Sequence, residues 1–269
     1  TTLQNIEAPK RWRAWDTSGN NNHGQIYSGR GLEFDGVTDY LTGPADTVLP
    51  TDLSKDFTVA VWFKVDTAAD AIIWGVKQNN ENRLGLCIAD DGEIAQAHYD
   101  DRDGQSDYVR SAAAVGTIKP GTWYRAVCVW TGIGATTAGD TGAGLRSLIS
   151  HQKFYINGVT PTVTDQSVYG SELGPTQEYL TIGAVGATLE KWFSGKMSDF
   201  QIWDYAWTAE DVAFDYANPE KTVLNRGGTS LTESNLKLWY PMNDGHRGQQ
   251  SYVLDASNTG LGDVSVTNG

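Results

Sequence analysis

The stretch Phe57-Thr58-Val59-Ala60-Val61-Trp62-Phe63-Lys64-Val65 constrains the fold more than any other part of the chain. Every odd position is apolar, so an extended strand would present one unbroken face for burial. A helix would scatter the same residues around its circumference, because its period is about 3.6 rather than two. Further strands are read at 31–34, 71–74, 83–88, 94–99, 123–130, 153–156, 179–182 and 195–204. Asp90-Asp91-Gly92 and Asn157-Gly158 carry the positive-φ residues that tight hairpins need. Short strands joined this way bury their apolar faces by stacking one antiparallel sheet on another. The expected fold class is therefore all-β, an antiparallel sandwich. Its core is expected to include Phe34, Phe57, Val59, Val61, Phe63, Val127, Val129, Phe154, Ile156, Ile182 and Ile202.

Thr208-Ala209-Glu210-Asp211 reads as a capping box opening one short helix near 208–217, which Asn218-Pro219 ends. The Gly- and Thr-rich stretch from Gly132 to Gly144 has no period and reads as a long exposed loop. A chain of 269 residues could hold one large all-β domain or two small ones. Its formal charge of −13 offers no basic stripe to a phosphate backbone, which argues against a nucleic-acid partner. No run of about 18 apolar residues is present, which argues against membrane insertion. Cys87 and Cys128 both lie in apolar runs and read equally as buried free thiols or as a disulfide. The opening Thr-Thr-Leu-Gln-Asn lacks a basic-then-apolar secretion signal, as either a mature fragment or a protein assembled in the cytosol would.

Trp15-Asp16-Thr17-Ser18-Gly19-Asn20 is echoed near the end by Leu254-Asp255-Ala256-Ser257-Asn258-Thr259-Gly260. Before the second copy stands a strand-like run, Leu236-Lys237-Leu238-Trp239-Tyr240-Pro241-Met242, with no counterpart in the first ten residues. Two explanations compete. The late strand completes a sandwich that the N-terminus leaves open, or it begins a further module.

The order of motifs resembles the laminin-G-like members of the concanavalin A-like lectin and glucanase superfamily. Asp16 to Gly24 is similar to that family's opening loop, and Leu32-Glu33-Phe34-Asp35-Gly36-Val37-Thr38-Asp39-Tyr40-Leu41 to its next strand. Phe57 to Lys64, Gly121-Thr122-Trp123-Tyr124, Phe154 to Gly158 and Thr181-Ile182-Gly183 follow in the family's order. Phe193 to Trp203 closes it, leading into the helix. The family's usual opening strand is displaced here to Leu236–Gly245, and its acidic pair before the closing strand is reduced to Ser198-Asp199. The resemblance implies a laminin-G-like jelly-roll domain over 1–234. The segment 235–269 would dock a strand on the same sandwich or start another module. That segment also resembles junctions in bacteriophage virion proteins, which implies a virion-surface or extracellular setting.

Calcium takes six to eight oxygen ligands, which favours Asp and Asn on Gly-containing loops. Asp16 and Asn20, with Asp199 brought near them in the family, are therefore the candidate metal ligands, and calcium the candidate cofactor. Asp16 and Asn20 read equally as residues that satisfy turn backbone. The acidic run Asp100 to Asp107 carries an Arg and no closing Glu, and reads as a solvated hairpin tip. A sugar needs an aromatic face and planar polar groups beside it. Trp74, Tyr99, Tyr108 and Trp192 stand near strand or loop ends with such neighbours and are the candidate ligand-binding residues, with core packing as the alternative for each.

The superfamily's glycosidases carry two or three carboxylates at alternate positions of one strand, and no such run occurs here. The expectation is a non-catalytic recognition or adhesion domain whose partner is a glycan or a cell-surface protein. Two alternatives stand beside it. One is a structural virion or fibre domain that contacts other virion subunits, and the other a glycoside hydrolase with a non-standard carboxylate pair.

Overall fold

The computed structural model describes residues 5–8, 12–14, 24–26, 29–44, 49, 55–78, 82–100, 107–132, 149–166, 179–184, 191–219, 221–242, 252–253, 255–257 and 264–267. In chain order the first strands are β1 (Asn5–Ala8), β2 (Trp12–Ala14), β3 (Gly24–Ile26), β4 (Gly29–Asp35), β5 (Tyr40–Pro44), β6 (Phe57–Val65), β7 (Ala71–Gln78), β8 (Asn82–Ile88) and β9 (Ile94–Asp100). There follow β10 (Asp107–Ala113), β11 (Tyr124–Trp130), β12 (Gln152–Ile156), β13 (Val163–Asp165), β14 (Tyr179–Ile182) and β15 (Ser194–Trp203). Helix α1 (Ala209–Ala217) precedes β16 (Leu236–Tyr240), β17 (Tyr252–Val253) and β18 (Val264–Thr267). Sheet 1 runs β1-β4-β15-β6-β11-β12, with β16 also paired to β15. Sheet 2 runs β13-β10-β9-β8-β7-β14-β5-β18-β17, and β2 pairs with β3 in a separate hairpin. The pairings are antiparallel, and the architecture is the sandwich that strand alternation implies, of the jelly-roll type that the family resemblance implies.

Between the sheets lies a core of Phe34, Phe57, Val59, Val61, Phe63, Trp74, Leu86, Trp130, Phe154, Ile182 and Phe200, each at most 1% exposed. Alternation places Tyr124, Ala126, Cys128 and Trp130 of β11 in this layer. Val127 and Val129 are buried as expected but point the other way, into a second cluster with Trp203, Trp207 and Val212. The reason is that α1 covers the outer face of sheet 1 there, so β11 is buried on both faces. A strand with two apolar faces does not reveal from its sequence which face meets the other sheet.

Helix α1 opens as the sequence requires: Thr208 accepts from the Asp211 amide, and Asp211 reaches back to the Thr208 amide. Asn157 (φ 53°), Gly158 (φ 82°) and Gly92 (φ 80°) supply the expected left-handed turn positions. The N-terminus does not leave its edge of the sheet unoccupied, because β1 pairs with β4 from Asn5↔Leu32 to Ala8↔Gly29. Four residues with Pro9 just beyond carry too little alternation to read as a strand. β16 pairs with the second half of β15, Phe200↔Tyr240 to Ile202↔Leu238, and Leu238 and Tyr240 are fully buried in the core. The expected loop after Gly132 falls at 133–148, outside the described residues.

Candidate ligand-binding face

The outer face of sheet 2 is the side turned away from sheet 1. Leu84, Val76 and Leu180 lie in the core, so alternation assigns Arg83, Lys77 and Tyr179 to outward positions. Antiparallel partners share a face. The register is Tyr108↔Tyr99, Tyr99↔Arg83, Arg83↔Lys77 and Lys77↔Tyr179, so one row across β10, β9, β8, β7 and β14 reads Tyr-Tyr-Arg-Lys-Tyr. The next outward row is Arg110, Ala97, Gly85, Gly75 and Thr181. Of this second row, Ala97, Gly75 and Thr181 are buried, and Gly85 is half-buried. Gly85 is needed for the close approach of β7 and β8, since a Cβ there would lie 2.5 Å from the Trp74 carbonyl oxygen.

Further along the same face, Ala112↔Ala95, Ala95↔Cys87 and Cys87↔Ile72 form a third row. Arg110 forms an ion pair with Glu93, whose other carboxylate oxygen accepts from Gln166 Nε2 at 2.9 Å. Ala112 and Ala95 of the third row are both at most 1% exposed. Gly85, Cys87 and Ile72 remain partly open to solvent. Burial pushes the Cys87 thiol up, and Arg110 opposes the shift. At the far side, Trp192 packs edge-on against Tyr40 with ring centroids 5.7 Å apart, and Tyr40 holds an outward position next to the core residue Leu41. Lys191 and Asp70 pair nearby at 3.6 Å.

Three of the four aromatic candidates, Tyr99, Tyr108 and Trp192, therefore belong to this face. Trp74 does not. Its ring is 0% exposed in the inter-sheet core, because a shift of register between Ile72 and Trp74 turns it inward.

The Asp199 carboxylate already has protein partners. Asp199 sits at φ 51° where β15 bulges, and its carboxylate accepts from Trp239 Nε1 at 2.7 Å and Gln201 Nε2 at 2.9 Å. Arg125 lies 3.3 Å away on the same carboxylate, and a guanidinium there opposes a second cation. Asp16 and Asn20 lie outside the described residues, between β2 and β3. Among the described residues no group of three or more His, Cys, Asp or Glu side chains could hold a metal ion. The stretch 101–106 of the acidic run also lies outside them, and Asp100 faces Asp107 across the hairpin that bears it.

Asp35 and Asp39 shape the turn between β4 and β5. Asp35 Oδ1 accepts the amides of Val37 and Thr38 at 2.8 Å and of Asp39 at 3.1 Å. Burial opposes ionisation, but these donors hold the Asp35 carboxyl well below its usual range. Asp39 is 1% exposed and one of its oxygens has no hydrogen-bond partner, so burial, with the Asp35 charge, raises its carboxyl.

The laminin-G-type sequence profile of the concanavalin A-like lectin/glucanases superfamily matches residues 35–213. The chain belongs to this superfamily. Solved structures similar to this superfamily member include the native heptameric SAP-like pentraxin of Limulus polyphemus. It has 19% identity and a TM-score of 0.46, and the match covers 69% of this chain and 81% of that one. A putative carbohydrate binding protein from Bacteroides ovatus shares 17% identity at a TM-score of 0.45, over 95% of this chain and 64% of its own. Domain 4 of AbnA, an extracellular arabinanase from Geobacillus stearothermophilus solved with arabinotriose, shares 15% at 0.43, over 80% and 86%. No curated protein matches the sequence. The superfamily assignment covers β5 to β15, and with them every strand of the Tyr-Tyr-Arg-Lys-Tyr row.

Sequence reading did not single out Lys77, Arg83, Arg110 and Tyr179 as neighbours on one face. Their alternation with core residues was visible, but only strand order makes them neighbours.

Proposed function

We propose that the chain is a non-catalytic recognition domain that binds an oligosaccharide on the outer face of sheet 2. It would act extracellularly, with a virion surface as the setting suggested by the resemblance of its C-terminal segment. The observation that carries the reading is the register of Tyr99 and Tyr108, direct cross-strand partners at outward positions of β9 and β10. Aromatic residues suit the apolar faces of sugar units, and polar neighbours suit their hydroxyls. Superfamily membership supports a binding role without specifying it.

The carboxylates that the fold brings together support the non-catalytic part of the reading. Asp199 and Asp215 both hold the buried Arg125, and Asp35 is saturated by backbone amides, so these groups maintain structure. A glycan array probed with the full chain tests the proposal, followed by titration of the best ligand into Tyr99→Ala and Tyr99→Phe. Retained binding in the Phe variant with loss in the Ala variant is expected. Equal binding by wild type and Tyr99→Ala would place the ligand elsewhere.

A further inference from the structure

We infer that the protein holds ordered internal water between its two sheets, at a polar site formed by Gln96, Ser111 and Gln152. This site faces inward, so it stands independently of the oligosaccharide reading.

Three strands each place a polar residue where alternation would put an apolar one. On β9, Gln96 shares the inward side with the core residue Ile94, and on β10 Ser111 shares it with Ala113. On β12, Gln152 shares it with Phe154 and Ile156. Register makes Gln96 and Ser111 direct partners on sheet 2, and Gln152 comes to them from sheet 1. Gln152 Nε2 donates to the Gln96 carbonyl at 2.7 Å and to Ser111 Oγ at 3.3 Å, so hydrogen bonds join the two sheets here. None of the three residues is more than 4% exposed.

The protein does not use all the bonding capacity of these groups. Gln96 Nε2, Gln96 Oε1 and Gln152 Oε1 are buried and have no hydrogen-bond partner among the described residues. Turning the Gln152 amide over does not help, because it would set Oε1 against the Gln96 carbonyl oxygen, one acceptor on another. Turning the Gln96 amide over only exchanges one unpartnered atom for the other. Buried amides left in this state destabilise a fold, and native structures satisfy nearly all of them with protein or water. Two amide oxygens and an amide nitrogen on neighbouring side chains are the kind of polar set that holds a buried water. Water donates to an amide oxygen and accepts from an amide nitrogen, so it suits every atom of the set. A monovalent cation would suit the oxygens but be repelled by the Gln96 Nε2 donor. By contrast Trp207 Nε1, also buried and without a partner among the described residues, is a single donor in an apolar cluster.

The test begins with wild-type protein. A crystal structure that resolves ordered solvent should show water within hydrogen-bond distance of the Gln96 amide and of Gln152 Oε1. In solution, the Gln96 side-chain amide protons, assigned by their loss in Gln96→Met, should cross-relax with water in a rotating-frame experiment. Density that places the Gln96 amide directly on protein atoms, or amide protons with no water contact, would overturn the inference. A melting temperature that shifts when sodium replaces potassium at fixed ionic strength would assign the site to a cation and overturn it as well. Thermal melting of Gln96→Met, Gln152→Met and the double variant gives a further readout. In Gln96→Met, Gln152 still bonds the main chain of residue 96, so coupling between the two side chains reports the water they share. Each single change should lower the melting temperature, and the double variant should lose less than the two losses added together, because the polar set leaves as a unit. Strictly additive losses would overturn the shared site. The crystallographic readout needs no variant and stands even where a variant fails to fold.

Discussion

Arg125 is fully buried, yet every polar atom of its head group has somewhere to go. It donates to Asp215 through Nε at 2.7 Å and Nη2 at 3.1 Å, and to the Asp199 carbonyl through Nη1 at 2.8 Å, with Trp62 alongside at 5.9 Å. Burial alone would lower its affinity for a proton, but Asp215 and Asp199 keep it charged. Breaking such a pair leaves an uncompensated charge and costs about 3 to 5 kcal/mol. Asp215→Asn should therefore destabilise strongly. Asp199→Asn should cost less, because the Asp199 carbonyl still accepts from Arg125. If Asp199 serves Arg125 and not calcium, the Asp199→Asn loss will be the same in EDTA and in added calcium, as thermal melting of both proteins will show. Asp211 extends the same logic to pH. Burial would raise its carboxyl, but the Thr208 amide, Arg226 and the Thr208 and Thr229 hydroxyls outweigh that and lower it. A lowered carboxyl binds fewer protons folded than unfolded. Its contribution is complete above the unfolded value of about 4 and is lost as pH falls below it. Asp39, raised by burial and by Asp35, contributes with the opposite sign and becomes a liability as pH rises above the same value. Melting curves stepped from about pH 3 to 7 should show a flatter acid limb for Asp211→Asn and a higher melting temperature near pH 7 for Asp39→Asn.

At the scale of elements, β16 and α1 depend on β15. Trp239 donates to Asp199 at the β15 bulge, and Leu238 and Tyr240 cover Phe200 and Ile202. Tyr240 stacks on Phe200 with centroids 6.4 Å apart. Removal of 235–269 would expose this part of the core. We expect loss of cooperative unfolding or a large fall in melting temperature, and an unchanged transition would show that the strand is dispensable. Trp239→Phe, which removes one hydrogen bond and keeps most of the ring, should cost about 1 kcal/mol by the same melting assay. For α1, Thr208→Ala removes a cap worth about 1 kcal/mol, and the loss should be visible in denaturant titration with an unchanged slope.

For the molecule as a whole, net charge acts against the compact state. A net charge of −13 repels itself in the compact state, so added salt should raise the melting temperature. A salt series read by melting checks the sign. Core changes are insensitive to salt by comparison: Phe200→Ala should cost about 3 to 5 kcal/mol at any ionic strength.

Period-two alternation, left-handed turn residues and the Thr208 capping box were enough to specify an antiparallel sandwich with one helix, because those signals are local. The inward set of β6 was legible residue by residue for the same reason. Local pattern also narrowed the aromatic candidates to strand ends, and Tyr99 and Tyr108 proved to be partners. It had no means to turn Trp74 inward, since that depends on a register shift against β8, nor to assign Val127 and Val129 to the helix-covered layer. Asp199 had the composition of a metal ligand. Its role was decided by Arg125, 74 residues away in sequence, and by Trp239, 40 residues away. The outward row of sheet 2 is the extreme case: Lys77, Arg83, Tyr99, Tyr108 and Tyr179 belong to five strands, and only strand order and register set them side by side.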